Sequence, residues 1–397
     1  MQQRWWRRSL TRAALALTLA AAAAALPYSA CAVRQPAVTR AAAQGEALTK
    51  AEFVGLVQGL SEPGGFFHSD NFTSNETSYL HVVSGFQEFG VGGGAYVGVG
   101  PEQNFTYIAK IRPRMAFIVD IRRQAVLQHL LYKALFQLSE TRGDFLSRLL
   151  SRPLSGAAAK ENAGIEVVLD QLAQAQPSAE MYTANGTRVR KLLEEELGLK
   201  LSEQDREQLN YVFSSFRDEG LAISFRFGQA GFGGYRRFPD LRDLILEKDL
   251  KGNLGNFLAS DDDYQRVRTL HLQNRIIPLV GDFAGSKAFV ALGDYMRKHD
   301  LKLSAFYTSN VEQFLFQNGV FSAFVQNVHA LPIDENSVFI RAVPSRQPHP
   351  MQVAGHRTTT LLQRMSVFLK DADAGVYDDY RTLVTTHFLA PKQPQAQ

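Results

Sequence analysis

Short, continuously apolar segments that alternate with helix-forming segments constrain this chain more than any other feature. From residue 90 onward they recur at 95–99, 115–119, 276–280, 303–307 and 337–343, each of a length typical of a strand. Strands that are apolar throughout, with helices between them, are typical of a parallel sheet covered on both faces. The sequence therefore predicts an α/β fold with a doubly wound, mostly parallel sheet.

Helix signals surround these strands. Thr49 with Glu52, and Thr73 with Glu76, match the capping-box pattern, so we expect a helix after each pair. Further helix-rich sequence separates the second apolar segment from the third. The predicted organisation is N-terminal helices at 48–89, a sheet domain at 90–385, a helical insertion at about 154–263 and a disordered tail at 386–397.

The first 32 residues have the order of a secretory signal peptide. A basic stretch ends at Arg12, an Ala/Leu run follows at 13–26, and small residues come next. The apolar run is too short and too rich in alanine to be a good membrane span. We therefore expect an exported protein, either periplasmic or attached to the envelope.

The end of this signal allows two processing routes. Ala30-Cys31-Ala32 fits a cleavage site, whereas the three residues that end at Cys31 resemble the end of a lipobox. Cleavage and lipidation of Cys31 therefore both stay open, and a flexible spacer is expected at 33–47. The signal peptide, or a lipid on Cys31, is the only contact with a membrane that the sequence predicts.

Composition excludes several classes of function. The formal net charge is only +4, and part of it comes from arginines in the first dozen residues, so we expect no nucleic-acid partner. Cys31 is the only cysteine, which excludes a disulfide framework and a cysteine nucleophile in the body of the protein. The nine histidines show no metal-ligand spacing, so no metal is expected. No serine lies in a GxSxG pattern, so a hydrolase triad has no anchor.

Doubly wound sheets bind ligands beyond the carboxyl ends of their strands, and the residues at those ends are the candidates for a site. Gly98 and Gly100 lie at the end of the first strand and would let the backbone approach a ligand closely. Asp120 follows the second strand, where an acid that accepts ribose hydroxyls belongs. The third and fourth strands are followed by Asp282, Phe283 and Asn310.

These motifs, in this order, resemble those of the class I, Rossmann-like, S-adenosylmethionine-dependent methyltransferases. The resemblance covers about residues 90–343 without the insertion, and its motifs are Gly98-Val99-Gly100, Val119-Asp120 and Val280-Gly281-Asp282-Phe283. It implies S-adenosylmethionine as the cofactor, with Asp120 on the ribose and with Asp282 and Phe283 on the adenine. It also implies that Asn310 faces the substrate.

Two residues depart from the pattern of that family. Tyr96 stands where the family usually has an acid, and Glu102 stands where it usually has a third glycine. Together with Pro101, these differences alter the turn formed by Gly98, Gly100 and Glu102, against which the methionine part of the cofactor would lie.

Glu76 is a second substrate-facing candidate. It ends an unusually polar segment, 69–76, and the N-terminal segment of the resembling fold often closes over the cofactor. Each candidate also has a structural interpretation that stays open. Glu76 is equally a capping-box residue, Asp120 and Asp282 could be helix N-caps, and the glycines could serve an ordinary turn.

Two hypotheses about function follow. The first is a methyltransferase-like protein that transfers a methyl group from S-adenosylmethionine to an unknown, small-molecule or other, acceptor, mainly by alignment of the reacting atoms. The alternative is an exported, non-enzymatic ligand-binding protein on the same fold, because S-adenosylmethionine is made and kept in the cytoplasm. A structural protein of the envelope is a weaker third interpretation.

Overall fold

The structure of the protein is a computed structural model that describes residues 47–227 and 238–391. The predictions for residues 1–46, which include the signal peptide and almost all of the spacer, lie outside the described residues. The prediction for residues 392–397 lies outside them as well.

Helices and strands alternate in the first part of the described chain, and several helices follow one another in its middle. The helices are α1 (Lys50–Leu60), α2 (Val83–Glu88), α3 (Gln103–Ile111), α4 (Arg123–Leu138), α5 (Arg142–Leu150), α6 (Ile165–Gln174), α7 (Ala179–Arg190), α8 (Glu203–Glu219), α9 (Leu241–Ile245), α10 (Asp261–Leu272), α11 (Ala288–Lys298), α12 (Val311–Gln317), α13 (Phe321–His329), α14 (Met365–Asp373) and α15 (Tyr380–Thr385). The strands are β1 (Ser69–Asp70), β2 (Ala95–Gly98), β3 (Met115–Asp120), β4 (Arg226–Phe227), β5 (Ile276–Val280), β6 (Leu303–Ser309), β7 (Ile333–Pro344), β8 (Thr358–Arg364) and β9 (Phe388–Leu389).

A seven-stranded sheet forms the centre of the molecule, in the order β5-β3-β2-β6-β7-β8-β9. The first five strands in this order are parallel, and β8 and β9 each run antiparallel to the strand before them. The chain moves outward from β2 through β3 to β5 and then returns to the other side of β2 at β6. This reversal makes the sheet doubly wound, so the fold is the mostly parallel, Rossmann-like α/β fold that the sequence predicts.

Apolar strands and the helices that cover them account for the stability of the sheet. Every residue of β2, β3 and β5 is buried, as expected of central parallel strands. Contacts to the sheet come from α1 on β5, from α4 on β3 and β5, and from α14 on β7. Within residues 47–227 and 238–391, no helix has both the length and the apolar character that crossing a membrane requires.

Of the two N-terminal helices predicted from capping boxes, the first is confirmed and the second is not. Thr49 caps α1 through a capping box with Glu52, as predicted. The predicted box of Thr73 and Glu76 is wrong, because the second helix, α2, begins only at Val83 and has no side-chain cap. The Glu76 carboxylate instead bonds to residues of α3 and β6, so tertiary contacts prevail over the local capping pattern.

The long connection between β3 and β5 contains the predicted insertion. Helix α8 packs along α4, and α5 packs against both of them. Strand β4 of this connection pairs with β1 in a small antiparallel sheet, which joins Ser69 to Phe227. The connection is therefore anchored both to the helix that covers the main sheet and to the polar segment at 69–76.

The end of the described chain corrects one prediction. Strand β9 pairs with β8 through Phe388 and Leu389, at the edge of the main sheet. The prediction of a disordered tail from residue 386 is therefore wrong for residues 386–391. A strand of only two residues leaves no alternating pattern in a Pro/Gln-rich sequence, so no local signal predicts it.

Candidate functional site

The carboxyl ends of β2, β3, β5 and β6 face one cavity of about 540 Å³. This volume lies within the roughly 300–1,000 Å³ that small-molecule sites occupy. The residues that the sequence singled out and that line the cavity are Glu76, Gly100, Asp120, Asp282, Phe283 and Asn310. Gly98 and Glu102 do not belong to the lining; they lie beside it and shape the turn after β2.

That turn is held rigidly by one side chain. The Asn104 Nδ2 atom lies 2.9 Å from Val99 O, 3.1 Å from Gly100 O and 2.8 Å from Pro101 O. Its Oδ1 atom accepts a hydrogen bond of 2.8 Å from the Tyr96 hydroxyl. The turn therefore presents Gly100 and Pro101 to the cavity in a fixed conformation.

The backbone conformation at Gly100 and the close packing at Gly98 both favour glycine. Gly100 has φ +80°, a conformation that glycine adopts without strain. A Cβ atom at Gly98 would overlap the Oδ1 atom of Asn104. His129 supports the turn from behind, because its Nε2 atom lies 2.8 Å from Gly100 O. Since a carbonyl oxygen only accepts, that nitrogen carries the proton, and burial lowers the pKa of His129 to about 4, which keeps the ring neutral.

Glu102 lies at the start of α3 and is buried. Its Oε1 atom accepts a hydrogen bond of 3.3 Å from the Ser74 backbone N–H, whereas its Oε2 atom has no partner among the described residues. Burial raises the pKa of Glu102 to about 7, against the smaller, opposite effect of the Ser74 hydrogen bond. Glu102 therefore links the turn to the segment that carries Glu76.

The Asp120 carboxylate is paired with Arg122. Arg122 Nε donates to Oδ1 at 3.0 Å and Nη2 donates to Oδ2 at 2.8 Å, in a buried bidentate ion pair. The Arg122 backbone N–H also donates to Oδ1, at 2.9 Å. Asp120 does not cap α4, whose N-cap is Arg122, so the helix-cap interpretation of Asp120 is wrong.

Asp282 follows β5 and is half-buried. Its Oδ1 atom accepts a hydrogen bond of 2.9 Å from the Ala284 backbone N–H, in a turn that precedes α11 by several residues. Asp282 is therefore not the N-cap of α11, which is Lys287. The Asp282 N–H in turn donates to Glu62 Oε2 at 3.1 Å, so Glu62 fixes the turn in which Asp282 lies.

Phe283 both lines the cavity and belongs to the core. Its ring stacks on Phe324 with a centroid distance of 5.9 Å and contacts Phe289 edge-on at 5.2 Å. Only 4% of the residue is exposed. Phe283 therefore forms a firm apolar floor at the end of the cavity that Asp282 borders.

Glu76 lies where β2 and β6 meet, at the point where the strand order reverses. Its Oε1 atom accepts hydrogen bonds from the Tyr307 hydroxyl, at 2.8 Å, and from the Ser309 hydroxyl. Its Oε2 atom accepts a bond of 3.0 Å from Gln103 Nε2. Burial raises the pKa of Glu76, although these three donors favour the ionised form.

Asn310 follows Ser309 and occupies the N-cap position of α12, without a side-chain capping bond. It borders the cavity beside Glu76, and its Oδ1 atom accepts a long hydrogen bond of 3.4 Å from the Ser309 hydroxyl.

Sequence reasoning missed several residues that shape the cavity: Phe66, Phe67, Thr73, Gln103, Arg122, Tyr307, Ser309 and Phe314. For Tyr307 and Ser309 a signal was present, because they end the fourth predicted strand at its carboxyl end. For the aromatic residues no local signal exists, since Phe67 and Phe314 meet only through the fold, at a ring-centroid distance of 5.1 Å.

The arrangement can position a polar ligand but offers few ligands for a metal. Within the described ranges, no cluster of three or more His, Cys, Asp or Glu side chains could hold a metal ion. The polar side chains of these residues that line the cavity carry carboxylates, amides and hydroxyls, together with the Arg122 guanidinium and the His68 ring. All of these groups can form hydrogen bonds with a small molecule.

The fold and the cavity define the protein as a doubly wound α/β protein with a ligand-sized cavity at the switch point of its sheet. Comparison with protein families gives a match to a domain of unknown function, DUF7790, over residues 72–159 and 158–395. The chain therefore belongs to the DUF7790 family. A search of curated proteins finds none that matches.

Proposed function

We propose that this protein binds S-adenosylmethionine, or a related nucleoside, in the central cavity and transfers a methyl group to an acceptor. The observation that carries the proposal is that Gly100, Asp120, Asp282 and Asn310, from four different strand ends, line a single cavity. Ligands of doubly wound sheets bind at this position. The proposal itself takes its chemistry from the resemblance of the motifs.

The residues proposed to bind the adenine fit that role better than the residue proposed to bind the ribose. Asp282 keeps its Oδ2 atom free of bonds to the described residues, so this oxygen can accept from an exocyclic amino group. Phe283 offers a buried apolar surface next to it. Gly281 supports this end because a Cβ atom there would come within 2.7 Å of Val119.

Asp120 fits its proposed role at the ribose less well, because most of its acceptor positions are occupied. A carboxylate has about four acceptor positions, and Arg122 occupies three of those on Asp120. One position on Oδ2 remains, which is enough for a single ribose hydroxyl. Binding of both hydroxyls would require Arg122 to turn away from Asp120.

The residues of the protein would act mainly by positioning. S-adenosylmethionine supplies an activated methyl group when it is bound. The rigid turn at Gly100 would hold the donor, Glu76 and the end of β6 would face the acceptor, and the buried walls would exclude water. No metal is proposed for this chemistry.

The ion pair of Arg122 and Asp120 favours one alternative specifically. If it persists in the complex, only one ribose contact is available, and this fits a non-enzymatic ligand-binding protein for a nucleoside. The expected export points the same way, because the donor is kept in the cytoplasm.

We also propose that the protein is exported, and that a membrane is involved only through the signal peptide or a lipid on Cys31. Its proposed partner is a small-molecule or other acceptor, with no role for nucleic acid. Mass spectrometry of the mature N-terminus tests this proposal, since cleavage after Ala32, lipid on Cys31 and an intact Met1 differ in mass. An intact Met1 on protein recovered from the native host would contradict export.

The binding proposal is tested by calorimetry with S-adenosylmethionine, S-adenosylhomocysteine and adenosine. We expect heat of binding from the wild-type protein and a loss of about tenfold or more in affinity for Asp282→Asn. This variant keeps an oxygen for the Ala284 N–H but replaces the free acceptor with a donor.

The matched control is Glu335→Gln, which removes the same charge from an exposed residue at the start of β7, at the opposite edge of the sheet. It should bind as the wild type does. Absence of heat with all three ligands would contradict the proposal, whereas binding without methyl transfer to any acceptor would favour the binding-protein alternative.

A further inference from the structure

The cavity is also lined by aromatic side chains that the proposed nucleoside contacts at Asp120, Asp282 and Phe283 do not use. These are Phe66, Phe67 and Phe314, named here the aromatic wall. Phe67 and Phe314 contact each other edge-on at 5.1 Å, and Phe66 is 76% exposed. Small-molecule sites are lined mainly by apolar and aromatic side chains, so the aromatic wall offers a contact surface for a ligand.

The geometry of the wall indicates the shape of its ligand. Aromatic rings pair best in edge-on or offset arrangements with centroids about 4.5–7 Å apart. Phe66 already makes such a contact with His68, at 4.8 Å. The wall therefore presents ring edges and faces that a further flat ring can contact.

Among the described residues, three carboxyl groups line the cavity, and they differ in their partners and in their burial. Asp120 is neutralised by Arg122, and Asp282 is only half-buried and bonded to a backbone N–H. Glu76 is 2% exposed, and its partners among the described residues are all neutral. Glu76 is therefore a buried carboxylate of the cavity that has no cationic partner among the described residues.

The acceptor positions of Glu76 leave space for one more donor. Tyr307 and Ser309 bond to Oε1 and Gln103 bonds to Oε2, so one position on Oε2 remains. Burial also raises the pKa of this group, which makes its carboxylate a stronger base than an ordinary glutamate.

Thr73 supplies a second, independent indication of a ligand. It lines the same cavity, it is fully buried, and its hydroxyl has no hydrogen-bond partner within the described part of the chain. A buried hydroxyl without a partner costs free energy unless a ligand or water satisfies it.

We propose that the acceptor is a small molecule with an apolar ring and a hydroxyl group, held by the aromatic wall, with its hydroxyl proton directed at Glu76. The proposal deepens the proposed function and rests on it for the methyl donor. As the acceptor oxygen forms its bond to the methyl carbon, the carbon–sulfur bond breaks and its electron pair stays on sulfur. The hydroxyl proton passes to Glu76 Oε2, which releases it to water after the methyl ether leaves.

Binding without the donor tests this proposal directly. The probes are p-cresol and its methyl ether, 4-methylanisole, which share a ring but differ in the proton. By calorimetry or saturation-transfer NMR, we expect the wild type to prefer p-cresol by about tenfold, the effect of one hydrogen bond to a charged group. Glu76→Gln should lose most of this preference, and the exposed Glu335→Gln should keep it.

A second variant does not depend on Glu76. Phe67→Ala should weaken binding of both ring compounds by about tenfold, because it removes an aromatic contact. Circular dichroism establishes that each variant folds. Equal binding of the two compounds by the wild type, no binding of p-cresol at millimolar concentration, or an unchanged preference in Glu76→Gln would each overturn the proposal.

Failure of this proposal is distinguishable from failure of the proposed function. S-adenosylmethionine that does not bind would overturn methyl transfer while the ring site stands. Conversely, donor binding with no discrimination between the two ring compounds would overturn the acceptor assignment alone. With donor present, transfer of a labelled methyl group to p-cresol should fall about 100-fold in Glu76→Gln.

Discussion

Replacement of Glu102 by glutamine should change how the stability of the protein depends on pH. Glu102 is 6% exposed, and its carboxyl has one bonded oxygen and one oxygen without a partner. Glutamine has the same shape and can accept the same Ser74 N–H. The substitution therefore removes the titration and leaves the packing nearly unchanged.

The size of the effect follows from the pKa of the two states. Burial raises the pKa of Glu102 from its ordinary 4.5 to about 7. Between these pH values the folded protein holds a proton that the unfolded chain has lost, so stability falls as pH rises. The full fall is about 3 kcal/mol, at about 1.4 kcal/mol per pKa unit. Below pH 4.5 both states are protonated, and the wild type loses nothing.

Chemical unfolding followed by far-UV circular dichroism measures this effect. Tryptophan fluorescence is unsuitable, because Trp5 and Trp6 are the only tryptophans and lie in the predicted signal peptide. The difference in unfolding free energy between Glu102→Gln and wild type should shift in favour of the variant by about 3 kcal/mol as pH rises from 4.5 to above 7. The exposed Glu335→Gln should follow the wild-type curve. Parallel curves for Glu102→Gln and wild type would refute the reasoning.

Three further substitutions test buried contacts of the described residues, and each is checked by chemical unfolding. Gly98→Ala should cost about 3 kcal/mol, because its Cβ atom overlaps the fixed Asn104 side chain; an unchanged unfolding midpoint would contradict this. Arg341→Met should cost about 3–5 kcal/mol, because it leaves Glu312 buried without its partner, and the added Glu312→Leu should restore most of that loss. Glu62→Ala should cost about 3 kcal/mol and weaken adenosine binding, because Glu62 accepts from three backbone N–H groups around the turn before α11. Wild-type stability of this variant would show that water replaces the carboxylate.

The sequence allowed the sheet to be predicted because each central strand is apolar throughout. Strands β2, β3, β5 and β6 were found close to their observed bounds, since a strand buried on both faces leaves a continuous apolar run. Strand β8 was missed, because its Thr-rich sequence lacks such a run. Strand β9 is too short to leave any pattern.

The candidate site was predictable only in part. The residues directly after parallel strands could be named, because the carboxyl ends of such strands share one edge of the sheet. The hydrogen-bond partners and the burial of each of these residues could not be predicted. The ion pair of Arg122 with Asp120 and the burial of Glu76 depend on contacts between distant segments, and the Thr73–Glu76 capping pattern pointed to a helix that tertiary contacts prevent from forming.

A crystal structure of the protein soaked with S-adenosylhomocysteine would test the central claim most directly. The account predicts that the adenine lies against Phe283 with its amino group on Asp282, and that the amino-acid end lies beside Gly100. A ligand bound elsewhere, or an empty cavity at saturating ligand, would contradict the account.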